Sequence, residues 1–157
     1  MRVSQLAILL IVPACVFAQT PSPNSTHADL ERLKSLLNEG TLAKVQVLHM
    51  PDSTLTRAAV SQEVLRSTAN SVVNFKDHLA ETFNPLFSGV SVKRENHSPD
   101  LRWGVLFCDA QDHEIGSVFV DKFGRYGYLN GQTVSFDAGL FGANLATRLH
   151  QITRIPR

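Results

Sequence analysis

The chain has 157 residues, 43% of them hydrophobic, with 15 Lys and Arg against 14 Asp and Glu and a formal net charge of +1. That length supports one domain with its own core and needs no disulfide staples. The near-neutral balance excludes the broad basic field that a nucleic-acid backbone demands, and it offers no general attraction to an anionic membrane.

The N-terminus carries one cation, Arg2, followed by an apolar run from Leu6 to Ala14 and short residues at Val16 and Ala18. A charged start, an apolar middle and a cleavable end in this order predict a secretory signal peptide over residues 1–18. The apolar run is well short of the roughly 20 residues that cross a bilayer as a helix. The expected location is secreted or periplasmic. A second reading stays open, because Val12-Pro13-Ala14-Cys15 is similar to a bacterial lipobox, with Pro13 as the departure; on it Cys15 is lipidated and the protein is an anchored envelope lipoprotein. Cleavage after Ala18 removes Arg2 and Cys15. Lys and Arg then number 14 against 14 acids, and Cys108 is left without an intrachain disulfide partner.

Residues 19–28 are rich in Pro, Ser, Thr and Asn and predict a flexible tether. Asn24-Ser25-Thr26 and Asn96-His97-Ser98 match the N-glycosylation sequon, which has meaning only in a eukaryotic source. The globular domain is expected over residues 29–157. It begins with a helix from Asp29 to Asn38, whose Leu30, Leu33, Leu36 and Leu37 share a face, and which stops at Glu39-Gly40. Lys44 to Met50 alternates as a strand, with His49 in the row of Val45 and Val47. Ser61 is placed to cap a helix carrying Val64, Leu65 and Thr68. A second amphipathic run holds Leu79, Phe83, Leu86 and Phe87, with Pro85 expected to kink or loosen it. Between them the pair Val72-Val73 favours a short strand over one continuous helix. Residues 89–100 read mainly as loop.

The strongest pattern is a four-strand antiparallel meander: Trp103 to Asp109, Glu114 to Asp121, Arg125 to Leu129 and Gln132 to Phe136. Asn130-Gly131 marks a type I′ hairpin turn. A four-residue loop Ala110 to His113 pairs Asp109 with Glu114, which places Trp103 opposite Val120, Val105 opposite Val118 and Phe107 opposite Gly116. Carried through the later turns, the register gives a first face of Trp103, Val105, Phe107, Val118, Val120, Leu129 and Val134. The second face is mixed: Leu106, Cys108, Ile115, Ser117, Phe119, Asp121, Tyr126, Tyr128, Thr133 and Ser135. A slip of one residue in any loop exchanges the faces beyond it. Gly104, Gly116 and Gly127 read as gaps for opposing side chains. Asp137 is a candidate N-cap for a last helix, Ala138 to Thr153, in which Gly142 allows close approach to the sheet. The expected fold is α+β: a single antiparallel sheet, comprising the meander and an N-terminal strand, with helices mainly on the first face.

Chemistry is harder to find. Cys108 paired with His49, His78, His97, His113 or His150 would make a nucleophile and base, but a mid-strand cysteine beside Leu106 is ordinarily an inert small hydrophobe. Asp109, Asp112, His113 and Glu114 crowd one turn without the ligand spacing of a calcium loop, and no HExxH, CxxC, phosphate-binding glycine loop or GxSxG is present. No metal site and no cofactor are expected. Arg148, His150, Arg154 and Arg157 read as a solvated helix end. What remains is recognition: Tyr126 and Tyr128 on the second face, with Phe119 behind them and Thr133 beside them, offer rigid contact area with polar tips. The expectation is therefore an exported, non-enzymatic domain that binds a protein or small ligand across its second face. The alternative is a small extracytoplasmic hydrolase or thiol enzyme using Cys108 and a histidine.

Overall fold

The computed structural model describes residues 24–137, 141–142, 144–145 and 147. The chain runs α1 (Asn24–Asn38), β1 (Lys44–His49), α2 (Gln62–Thr68), β2 (Ser71–Phe75), α3 (Leu79–Phe87), β3 (Val92–Arg94), β4 (Leu101–Cys108), β5 (Glu114–Asp121), β6 (Tyr126–Leu129) and β7 (Gln132–Phe136). All strands join one seven-stranded antiparallel sheet in the order β2-β1-β4-β5-β6-β7-β3. This is the expected α+β architecture, with the N-terminal strand beside β4 and two further strands at the edges.

The turns of the meander explain its precision. Asp109 and Asp121 close their turns in the same way. The Oδ1 of Asp109 accepts from the backbone N–H groups of Gln111 and His113, each at 2.9 Å, and the Oδ1 of Asp121 accepts from those of Phe123 (3.1 Å) and Arg125 (2.9 Å). Each carboxylate satisfies two donors that leave the ladder at the turn. The third turn has φ of 47° at Asn130 and 81° at Gly131, the positive values a type I′ turn requires.

Between these turns the register is the expected one. Trp103 faces Val120, Gly104 faces Phe119, Val105 faces Val118, Val118 faces Leu129, and Gly127 faces Val134. Within the expected register one position departs, and ahead of it the pairing also shifts between Leu101 and Trp103, where Leu101 faces Asp121. Because Asp109 is drawn into its turn, the pairing slips between Phe107 and Cys108, and Cys108 faces Glu114 rather than Ile115. Ile115 consequently packs with the first-face core, not the second face.

Three other expectations are corrected. Helix α1 begins at Asn24, so residues 24–28 are helical rather than tether, and the reason is visible in Thr26, which is buried. Residues 92–94, expected as loop, form β3 against β7. Of the three glycine gaps, only Gly104 accommodates the ring across from it, a Cβ there lying 2.9 Å from Phe119 Cε1; Gly116 makes room for Leu33 of α1, and Gly127 lies against the backbone carbonyl of Phe119. The break between α2 and α3 and the strand within it are as expected, and α3 continues through Pro85 to Phe87. The signal peptide, Cys15, residues 19–23 and the basic end from Arg148 lie outside the described residues.

Helices α1 and α3 cover the first face. Leu30, Leu33 and Leu37 of α1 and Leu79, Phe83, Leu86 and Phe87 of α3 pack onto Val45, Val47, Trp103, Val105, Phe107, Val118, Val120, Leu129 and Val134. Phe141 and Leu145 join this core, Phe141 stacking on Phe136 at 4.4 Å between centroids. Gly142 rests against Phe123 and Gly124 of the β5–β6 turn, the close approach its lack of a side chain permits. His49 stacks on Trp103 at 3.6 Å.

Gly127→Ala drives a methyl into the Phe119 carbonyl, where no side chain can rotate away, and should destabilise the domain by about 3 kcal/mol or more. Gly131→Ala meets open space and pays only for positive φ, a cost of about 1 kcal/mol. Urea denaturation of the two variants checks both the magnitudes and their order.

Candidate functional site

The second face is divided. Over β1, β4 and β5 it carries a second, smaller core of Leu48, Met50, Val60, Leu65, Leu101, Leu106, Cys108 and Phe119. The cover is α2 together with the segment leading into it. Ser61 caps α2 by accepting from the Val64 N–H, and the helix buries Leu65. Asp100 holds the preceding segment down: its carboxylate accepts from the Val60 N–H at 2.8 Å and from Arg102 Nη2 at 2.7 Å, while the Leu101 N–H donates to the Val60 carbonyl.

Arg66 ends the cover. Its guanidinium sits 4.8 Å above the centroid of the Phe119 ring and pairs in a fork with Glu114 at 2.5 and 2.9 Å. The planar fork suits both the carboxylate and the ring face. Burial pushes the Glu114 carboxyl up, yet the hydrogen bonds from Arg66 and Ser117 and the charge of Arg66 outweigh it and hold the group below its ordinary value.

Beyond Arg66 no helix among the described residues lies over the face, and the segment from Glu95 to Asp100, which returns the chain from β3 to β4, crosses it with Pro99 buried. Tyr128 lies opposite Phe119 and leans on the second core, half-buried, while Tyr126 is 39% exposed. Thr133 faces Tyr128 and Ser135 faces Tyr126, both half-buried. The exposed His97 meets the Tyr126 ring edge-on at 5.3 Å. Ser135 donates to Glu95 at 2.8 Å. A cleft of about 350 Å³ runs beside Tyr126 between Lys93, Glu95, Arg125 and Ser135, and one of about 270 Å³ continues past His97 and Thr133.

The register thus does bring Phe119, Tyr126, Tyr128 and Thr133 to one face. Phe119, however, is fully buried beneath Arg66 and offers nothing to a partner. His97, Glu95 and Lys93 are the residues that sequence reasoning missed. They sit in and after a three-residue strand whose only signal was Val92 among charges.

Cys108 is buried in the second core, and burial pushes its thiol up against the opposing pull of Lys44. That is the reverse of the lowered pKa an activated thiolate needs. The carboxylates of the 109–114 turn have separate partners: Asp109 the turn backbone and His113, Asp112 Lys44 at 2.7 Å, Glu114 Arg66. Among the described residues no three His, Cys, Asp or Glu side chains come together as a metal site.

A larger groove of about 610 Å³ lies on the other side of the molecule between α1 and α3. It is bordered by Lys34, Asn38, Asn84 and Pro85, with Phe87 buried at its base, and it gathers no cluster of chemistry-bearing groups. Comparison with protein-family models, with curated proteins and with solved structures returns no match.

Arg66→Ala should uncover Phe119 and destabilise the domain by about 1–2 kcal/mol, measured by urea denaturation. Because the folded pKa of Glu114 is depressed, its contribution is complete above the unfolded value and is lost as pH falls through the folded one. Glu114→Gln should therefore lower stability at neutral pH and flatten the further loss below about pH 4.5, the carboxyl's ordinary value. The Cys108 thiol should resist iodoacetamide at neutral pH in the folded protein and react promptly once unfolded. Rapid alkylation of the native state would revive the thiol-enzyme reading.

Proposed function

We propose that this protein is a small exported binding domain that recognises a protein or small ligand over the half of its second sheet face that α2 leaves uncovered, around Tyr126 and Tyr128. One observation carries this reading: α2 covers the second face only as far as Arg66, leaving a half-buried Tyr128 and, beside it, an exposed Tyr126 that meets an exposed histidine and lines a cleft of about 350 Å³. Tyrosine supplies rigid area at low entropic cost, and aromatic anchors of this kind carry a disproportionate share of binding energy. The rim alternates Lys93 and Arg125 with Glu95, which suits a neutral or mixed-charge partner rather than a polyanion. Export is supported by the signal-peptide pattern of residues 1–18.

A thiol-dependent enzyme is the weaker reading, since Cys108 is buried with its thiol pushed up and lies in the covered half of the face.

The test is a pair of changes on the second face, Tyr126 being exposed and Tyr128 leaning on the edge of the smaller core. Immobilised protein exposed to its native extract should retain partners that the Tyr126→Ala/Tyr128→Ala double variant, verified as folded by circular dichroism, binds at least about 30-fold more weakly. Leu55→Ala, at a residue 97% exposed outside the cleft lining, should leave retention unchanged. Undiminished binding by the folded tyrosine variant would sink the proposal.

A further inference from the structure

The sheet ends in two edges of opposite character, β2 on one side and β3 on the other. Edge strands present unpaired backbone donors and acceptors, and folded proteins guard them with charge, proline or brevity. Strand β3 is guarded. It has three residues, two of them the exposed Lys93 and Arg94. Strand β2 has no such protection: Ser71–Phe75 carries no charge and no proline, alternates half-buried with exposed residues, and leaves Val72 49% exposed. Among the described residues no segment pairs with its outer side. Helix α2 packs mainly over β4 and β1, inward of the edge.

From this we infer that β2 pairs antiparallel with β2 of a second copy, joining two seven-stranded sheets across a two-fold axis at Val73. The strand is its own complement. Set antiparallel about Val73, two copies place Ser71 opposite Phe75 and Val72 opposite Asn74, so a small residue meets a ring twice and an exposed valine is covered twice. Continuing outward, Lys76 falls opposite Asn70, and no charge meets a like charge. An isologous contact needs this self-match, whereas an extended peptide from another protein would need no symmetry in β2 at all. The same operation on β3 sets Lys93 against its own copy, which disfavours pairing there. Contact through one five-residue strand is small, so the dimer is weak and concentration-dependent, with a Kd in the micromolar to millimolar range.

Sedimentation equilibrium over a concentration series tests this directly. The protein should self-associate to a dimer. Val72→Lys/Asn74→Lys puts two like-charged pairs across the axis and should raise Kd by about tenfold or more. Val72→Lys/Asn74→Glu puts opposite charges across the same two pairs and should return Kd to within a few-fold of the parent. Both positions are on the second face of an edge strand, and denaturation curves confirm that each variant is folded; should the double lysine variant unfold, Val72→Lys alone carries the same comparison. A protein that stays monomeric up to about 1 mM overturns the inference. So does a dimer indifferent to the lysines, or a double lysine variant that is not rescued by the glutamate. A monomer whose β2 takes up an extended peptide of foreign sequence overturns the choice of a second copy.

Discussion

The pairing of β4 with β5 decides which side of the sheet everything else packs against. All eight residues of β4 are buried, because α1 and α3 lie over one of its faces and α2 over the other. A strand covered on both sides cannot declare its orientation by alternation. The partner declares it instead: Trp103, Val105 and Phe107 are committed to the helices because Val120, Val118 and Gly116 stand opposite them. A one-residue slip would bring Trp103 and Phe119 to the same face, and one of the two cores would lose its ring to the other.

This dependence explains what was legible in the residues and what was not. Local chemistry was legible. Asn130-Gly131 announced its turn, Ser61 its helix cap, and Val72-Val73 a strand between helices. The register of the meander followed from those turns by counting, and with it the companionship of Tyr126 and Tyr128. The exceptions were set by contacts distant in the chain or by side chains meeting backbone. Ile115 changed face because the Asp109 carboxylate prefers two turn N–H groups to a place in the ladder. Phe119 disappeared from the candidate site because Arg66, many residues earlier, pairs with Glu114 and settles over the ring. No periodicity in a seven-residue helix that buries Leu65 alone foretells such a lid.

The two sides of the sheet differ in how firmly they are sealed. The first face is closed by three helical segments and a run of aromatic rings in contact, from Phe107 through Phe87 and Phe141 to Phe136. On the second face a short helix is held by one cap, one fork and the Asp100 hydrogen bonds, and its cover stops midway. Over the strands from β6 to β3 that side carries tyrosine, histidine and mixed charge under the segment returning to β4, while at the opposite margin no described segment pairs with the outer side of β2. A single sheet thus displays two chemically unlike surfaces, separated by its most buried strand.

The paired aspartate turns bear on how the chain finds this arrangement. They sit at the two ends of β5, so that strand is joined to β4 and to β6 by loops of a few residues, whose closure costs little entropy. Strand β1 reaches β4 only by bringing together positions about 60 residues apart, such as Val45 and Phe107. The meander is built of pairings between near neighbours in the chain, the kind that close at the least entropic cost. Strand β2 is tied to the meander only through β1, so that margin of the sheet hangs on the longest-range pairing in it.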